Sequence, residues 1–561
     1  MSPNKSDALT AAPQRVQPVI RAVGGLGMRE GGLLAMLWVC SESTAIGKEA
    51  SMSMAKGVAS GKVESLVEMA NEMSEFVERS AAQGGALREV ERGVFDRLLS
   101  MGRVLVDQFI ALQGNGDLGE TATMDDSRTL HRSATTVVRK LRTIFGEHEF
   151  AAYVYRKRSH PNTPIALRPV DARMRLSSGR WSDLLEEFTQ LFCLDESYAT
   201  AAAAFERIFR QRLSVDSLER VNGRMGDEAA EFLDALAPPP PAEEGDLLVV
   251  TADGKGVPMV RDDAAKLRCF EERPQRPGNR RMATLASVYS VDRHVRTPER
   301  IIGALFRDPR AESPPDDVRP EPCHKRVIAR FPQLFEEIDE RQPISGMIVA
   351  LSWAAREVRE RRRDSQPLVR LMDGQPSLWD AADACLADVP AEETIDVLDI
   401  VHVAGYVWRA AKTFHAHKEH QEAFVRERLL RILRGDVKAV IAGMRRMATL
   451  RALPATERRE IDTVCGYFET HAERMRYDEY LANGCPIATG VIEGACRHLV
   501  KDRMERSGMR WTQPHAQAML DVRAAHQSSY WDAFHERRLQ ARTKSLEPYR
   551  NLLDRLTPLA G

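Results

Sequence analysis

The sequence predicts an α/β core, split by a long all-α insertion and preceded by a mainly helical region with a small β-containing part. Three observations lead to it. Three apolar runs each deliver an aspartate: LLVVTAD ends at Asp253, PLVRLMD at Asp373 and TIDVLD at Asp399. Unbroken aliphatic and β-branched runs of this length suit strands buried on both faces. After His402 the text is helical as far as Cys485, with GYVWRAAKTFH, FVRERLLRILRG, VKAVIAGMRRMATLR and REIDTVCGYFETHAERM. A proline run at residues 238–241, followed by AEEGD, separates all this from what precedes it, and such a run makes a linker.

Composition narrows the class. The chain has 561 residues, 43% apolar and 29% charged, which suits a soluble protein of several domains. A net charge of −1 excludes a uniformly basic coat but leaves room for local basic patches. The eight cysteines form no CxxC pair, which argues against a zinc ribbon or a disulfide scaffold. Reduced thiols in a cytoplasmic protein are expected. The apolar run at residues 31–40 is too short to span a bilayer, so no membrane partner is expected.

Taken in order, residues 1–60 open polar and proline-containing, with SMSMAKG at 51–57, and predict a flexible N-terminus. Residues 61–180 predict a helical and β-containing DNA-binding region. Leu66, Met69, Met73, Phe76 and Val77 recur at helical spacing, and so do Leu98, Leu99, Val104, Leu105, Phe109 and Leu112. LQGNGDLGE then reads as a loop, and ATTVV at 134–138 and EFAAYVY at 149–155 as strands. Arg132, Arg139, Lys140, Arg142, Arg156, Lys157 and Arg158 interleave with them. This suits a nucleic-acid-facing sheet and equally a solvated strand face.

Residues 181–237 predict a helix-turn-helix-like segment. A helix over SYATAAAAFERIF precedes a break at 212–215, and Ser214 or Asp216 caps a second helix. Ser217, Arg220, Asn222 and Arg224 would then face DNA, although many helix pairs of this kind never touch it. Residues 238–245 are the linker and 246–402 the first part of the core. RMATLASVYSV, at 281–291, is a further strand, and 307–323 a proline-rich loop. Residues 345–363 form a helix, with Arg359, Arg361, Arg362 and Arg363 as its solvated end. His415, His417 and His420 in the inserted region 403–485 read as a solvated loop, since no acid or cysteine spacing completes a zinc pattern.

Residues 486–535 close the core, and 536–561 are a C-terminal tail. Within them TGVIEGACRHLVKDRMERSGMRW, 489–511, is a helix capped by Thr489 and stopped at Ser507-Gly508. Ile492, Ala495, Cys496 and Leu499 make its apolar face. Glu493, Arg497 and Lys501 stand four apart. They are either surface pairs of the i, i+4 kind or a metal-binding acid at the head of a basic stripe.

The order strand-Asp253, strand-Asp373, strand-Asp399-x-x-His402, helical insertion, helix-Glu493 resembles the ribonuclease H-like core of DDE transposases. VVTADGKG, RMATLASVYSVDRHVRTPE, LDIVHVAGYVWRAAKTFH, RYDEYLANGCPIATGVIEGACRHLVKDRMERSGMRW, ALQGNGDLGETATM and LSVDSLERVN resemble bacterial insertion-sequence transposases of the ISKra family, over roughly residues 80–535. The resemblance implies that Asp253, Asp373 and Glu493 are the catalytic and metal-binding triad. Asp399 and His402 would be the accessory Asp-x-x-His signature. A different alignment makes Asp399 the second member of the triad.

Three carboxylates suit Mg²⁺ or Mn²⁺. Two such ions, about 3.5–4 Å apart, clamp the attacking and leaving oxygens of an in-line phosphoryl displacement. The expected partners are double-stranded DNA, as element ends and target, and a second copy of the chain, since synapsis of two ends implies a dimer or larger assembly. Arg497, Lys501, Arg503 and Arg510 would neutralise phosphates. Trp511 would stack on a base or sit in the core. His402 would orient DNA or bond to the strand end. A nuclease that cuts without joining, or a non-catalytic DNA-binding descendant, are the alternatives.

Overall fold

A computed structural model describes residues 49–267, 278–308, 318–335, 342–506 and 508–556. The expected flexible start lies outside them as far as residue 48, as do residues 309–317 of the proline-rich loop, Ser507 of the helix stop and the last five residues of the expected tail. From Glu49 onward the chain is helical, which corrects the end of that flexible start. The Ala-, Met- and Lys-rich run there has high helix propensity. Helix α1 (Glu49–Ala82) pairs with α2 (Leu87–Leu112), and the two approach closely at Gly93, where a Cβ would lie 2.2 Å from Phe76 Cζ.

Six short strands follow: β1 (Thr121–Thr123), β2 (Thr129–Arg132), β3 (Val137–Thr143), β4 (Gly146–Ala152), β5 (Tyr155–Arg156) and β6 (Ile165–Leu167). β3 and β4 make a hairpin, and the others a sheet in the order β1-β2-β5-β6. Their basic residues are largely committed. Arg139 is buried and bonds Asp171 at 2.9 Å and the carbonyls of Ser177 and Gly179. Arg132 pairs with Asp117, and Arg142 with Glu147.

Helices α3 (Pro169–Arg173), α4 (Asp183–Asp195), α5 (Tyr198–Phe209) and α6 (Val215–Asp234) come next. The Ser214 hydroxyl caps α6. That helix is a core element, with Leu218, Val221, Met225, Ala229, Phe232 and Leu233 buried. Gly226 lets it close on a C-terminal helix, since a Cβ there would sit 2.4 Å from Ala518 Cα.

The proline run is no flexible linker. Glu244 behind it is buried and takes both ends of the Arg361 guanidinium, at 2.8 and 3.2 Å. Arg363 bonds the carbonyl of Gly245. Arg359 pairs with Asp388, and Arg362 with Glu393. Of the expected solvated cluster, Arg361 and Arg363 therefore fasten this segment to the core, while Arg359 is exposed.

Strand β7 (Leu247–Pro258), α7 (Arg261–Leu267), β8 (Arg280–Val291), α8 (Pro298–Leu305) and β9 (Cys323–Arg330) open the core, followed by a small hairpin of β10 (Gln333–Phe335) and β11 (Gln342–Ile344). Then come α9 (Gly346–Arg361), β12 (Leu368–Met372), α10 (Pro376–Cys385) and β13 (Thr394–Leu398). Among the described residues, the central sheet has five strands in the order β13-β12-β7-β8-β9. β13, β12 and β7 run parallel, while β8 is antiparallel to both β7 and β9.

Both faces of the sheet are covered, as the unbroken apolar runs require. Leu248, Val250 and Ala252 belong to one buried cluster, with α6, α9 and the C-terminal helices. Leu247 and Val249 belong to another, with the inserted helices. Those are α11 (Ile400–Phe414), α12 (Lys418–Leu433), α13 (Val437–Leu450), α14 (Ala455–Thr470) and α15 (Tyr477–Ala482).

The chain returns with α16 (Gly490–Ala495), a π-helical turn (Cys496–Lys501), α17 (Asp502–Met504), α18 (Gln513–Gln527), α19 (Trp531–Ser545) and α20 (Arg550–Leu553). Here the expected tail is corrected. α19 packs on α6 through Phe232 and Phe534, 5.5 Å between ring centroids. Leu552 of α20 is buried against the N-terminal sheet, and Arg173 bonds the Leu556 carbonyl at 2.7 Å. Among the described residues, no helix is long and apolar enough to cross a membrane.

Candidate metal centre

The register of the parallel strands brings the acids together. Leu368, Val369 and Arg370 pair with Leu248, Val249 and Val250. Three residues further, Asp373 comes level with Asp253. Met372 pairs with Leu398, and the Asp399 N–H bonds the Met372 carbonyl at 2.9 Å, so Asp399 comes level with Asp373. Asp253, Asp373 and Asp399 thus form one row across three neighbouring strands, at a spacing of about 4.8 Å per strand. Asp253 is not at a strand end, however. β7 continues to Pro258 against β8, with Asp253 opposite Leu285; only its pairing with β12 has stopped.

Each acid is held differently. Asp253 Oδ1 accepts from Gly254 N–H at 2.6 Å, and Oδ2 from the Cys496 thiol at 3.3 Å. Burial, then the charge of Asp373, holds its carboxyl above the usual range, against the pull of those hydrogen bonds. Asp373 Oδ1 accepts from Gln375 N–H at 3.0 Å, and its carbonyl from Trp379 Nε1 at 2.6 Å.

Asp399 is fully buried. It accepts from the N–H groups of Val401, His402 and Thr489 at 3.1, 3.3 and 3.2 Å, and from His402 Nδ1 at 2.9 Å. It caps α11 and staples the start of α16 to the sheet. His402 lies in the first turn of α11, not on a strand, and its other ring nitrogen is left free of Asp399. The Asp399 bond is the main cause that raises the His402 pKa, and the charges of Asp373 and Asp253 add to it.

Glu493 is exposed on α16. Burial and the charges of Asp399 and Asp253 push its pKa up, while His402 and the Thr489 hydroxyl oppose this. Thr489 does not cap the helix by its side chain; its N–H is committed to Asp399. Asp399, His402 and Glu493 each offer one ligand atom within 4.8 Å of the others. Among the described residues, Asp253, Asp373 and Glu493 do not all close to that distance. The four acids and His402 are nonetheless close enough to act on one another electrostatically.

Glu493, Arg497 and Lys501 are all exposed, and a π-helical turn runs from Cys496 to Lys501. Arg497 lies 3.8 Å from Asp502 and is 70% exposed; Lys501 and Arg510 are exposed too.

Three expected DNA contacts are interior. Arg503 is fully buried, bonds the Cys193 carbonyl at 2.7 Å, and lies 5.1 and 4.9 Å from the rings of Tyr198 and Trp511. Trp511 is buried and donates to the Met504 carbonyl at 3.2 Å, which settles its two sequence readings in favour of the core. Asn222 is buried and donates to Gln190 at 3.0 Å. Arg224 pairs with buried Glu186, and Arg220 is exposed.

Both Arg220 and Arg224 line an open groove of ≈ 840 Å³, together with Arg103, Lys140, Arg142 and Arg180 and with Glu147, Glu149 and Glu186, which pair with Arg142, Lys140 and Arg224. Sequence reasoning missed the Cys496 contact with Asp253 and the Thr489 contact with Asp399. The three-residue step from Glu493 to Cys496 was the available signal for the first; nothing local encodes the second.

The donors are carboxylate oxygens, the kind a hard divalent cation takes; Asp253 and Glu493 are held above their usual range by burial and by neighbouring acids, and no ion pair to Asp253, Asp373 or Glu493 is seen among the described residues. No protein-family model and no curated protein matches the chain.

Proposed function

We propose that this protein is a DNA transposase of the ISKra type with a ribonuclease H-like core. It binds the ends of an insertion sequence, cuts the DNA and joins the freed 3′ end to a target by in-line phosphoryl transfer. The observation that carries the reading is the row of Asp253 and Asp373 on neighbouring strands with Glu493 facing it. An acid cluster that lacks a counter-cation and is walled by apolar layers suits Mg²⁺ or Mn²⁺.

Asp253, Asp373 and Glu493 would hold the cation, which when bound supplies Lewis-acid activation of the phosphate and of water. Asp399 serves by position: its four accepted hydrogen bonds tie α11 and α16 to the sheet, and the second place in the triad goes to Asp373. His402, oriented by Asp399, presents its free ring nitrogen to the same space and donates a hydrogen bond to a phosphate oxygen placed there. The groove lined by Arg103, Arg180 and Arg220 receives duplex phosphates.

The test is cleavage and strand transfer on a duplex carrying an element end, with Mg²⁺. Asp253→Asn, Asp373→Asn and Glu493→Gln are each expected to lose at least about 100-fold in cleavage, as loss of a preorganised charge does, while still binding the end. Normal cleavage by any of the three removes that residue from the triad. Cutting without joining by the wild type points to a nuclease instead.

A further inference from the structure

The inserted helical body reaches back to the loop that carries Asp373. A Cβ on Gly374 would lie 2.4 Å from Tyr467 Cε2 and Oη and 2.7 Å from Cζ. Tyr467, on α14, is held flat against Tyr406 of α11, with ring centroids 3.8 Å apart and planes within 6°. The guanidinium of Arg409 covers Tyr406 at 4.8 Å and bonds Glu460 of α14 at 2.7 Å, so the stack is braced from both helices. Four residues on, the His471 ring packs on Tyr467 at 4.8 Å. On the other side, the Trp379 indole holds the Asp373 carbonyl, and Arg474 from the same inserted body covers the Trp379 ring at 4.2 Å.

Tyr467 Oη and His471 Nδ1 are both buried, and His471 is only 3% exposed. Buried polar atoms need a partner, and the hydrogen-bonding group that both side chains meet is the Gly374 backbone. Phenylalanine and leucine would fill the same space without reaching that peptide. The Gly374 backbone and the Asp373 charge both act on His471, whose pKa burial pushes down, and the same two act on Tyr467. These polar atoms therefore abut the acid-bearing loop, not solvent.

We infer that Tyr467 and His471 are positioning residues for Asp373, acting through the Gly374 peptide, so that the inserted domain sets the second carboxylate of the metal centre. This rests on the proposed metal-binding role of Asp373. Asp253 and Glu493 are placed by the sheet and by α16; Asp373 stands on a turn whose local ties are the Gln375 N–H and the Trp379 indole. A wedge delivered by another domain supplies what the turn lacks, and glycine at 374 is what admits the wedge.

The experiment is Mn²⁺ binding to the full chain, followed by the loss of the free-ion electron paramagnetic resonance signal, with thermal melting alongside. Tyr467→Ala and Gly374→Ala are expected to weaken Mn²⁺ binding about ten-fold, the usual range for a residue that orients a ligand. Tyr467→Phe and His471→Leu weaken it in the same direction by less, with melting unchanged. Phe468→Leu, a neighbouring core position that is fully buried, lowers the melting temperature and leaves Mn²⁺ affinity intact. Wild-type affinity in Tyr467→Ala and Gly374→Ala overturns the inference alone. Equal weakening in Phe468→Leu reduces Tyr467 to a structural role and overturns it as well. A wild-type protein that binds no Mn²⁺ overturns the metal-centre reading and this inference with it.

Discussion

Asp253 and Glu493 carry charge in a place where charge is costly. Burial is the first cause of both raised pKa values, and neighbouring acids add to it. A carboxyl whose pKa is raised by folding binds its proton more tightly folded than unfolded. Its stabilising share is therefore full below the ordinary carboxyl pKa, about 4, and is lost as pH rises through the raised folded value. At neutral pH without metal, Asp253 is a burden on the fold, while exposed Glu493 is screened by solvent. Asp253→Asn is accordingly expected to raise the melting temperature of the metal-free protein at pH 7 by about 2 °C. The difference shrinks as pH falls toward 4. Added Mn²⁺ raises the melting temperature of the wild type and not of the variant. A metal-free variant that melts lower than the wild type at pH 7 contradicts this reading of Asp253.

The element that presents Glu493 depends on a residue far along the chain. In the π-helical turn at Cys496–Lys501 the wide loop leaves carbonyls turned outward. Arg523 of α18 bonds Leu499 O at 2.8 Å and also His498 O. Burial pushes its pKa down to about 10, which still leaves it charged at neutral pH. Arg523→Met strips both carbonyls of their partner and is expected to cost about 2 kcal/mol, measured by urea denaturation. Cleavage should fall by more than that loss explains, because α16 turns with the π-helical segment. Unchanged denaturation would show that α18 does not hold the turn.

At this scale the strands were legible, because LLVVTAD, PLVRLMD and TIDVLD carry their burial and their acid in one local run. The π-helical turn was not, since its cause lies in α18. The same holds for Arg503 and Trp511: a basic residue and an aromatic after a helix read as DNA contacts until Tyr198, from the N-terminal half, closes over them.

Across the whole molecule, one buried cluster runs from Leu185 to Phe534 and joins α4–α6 to the central sheet and to α18 and α19. The proline run looked like a boundary because composition marks exposed turns, but the Glu244–Arg361 pair cannot be read from composition. The helix-turn-helix-like segment is fixed to the core through its buried α6 residues, with exposed Arg220 beside Arg103 and Arg180. Reversing two of these charges, Arg180→Glu with Arg220→Glu, is expected to weaken duplex binding and to lower the salt slope by about 1 per lost phosphate contact, with melting unchanged. Fluorescence anisotropy at several salt concentrations measures it, and an unchanged slope would remove the groove from the DNA path.

The row of acids and the helix that faces it make up the central claim, and locating Mn²⁺ in crystals of the full chain by anomalous scattering tests it most directly. The account predicts density bounded by Asp253, Asp373 and Glu493, with Asp399 still bonded to Thr489 and His402. Density held by Asp399, His402 and Glu493 instead, or none at saturating Mn²⁺, would contradict it.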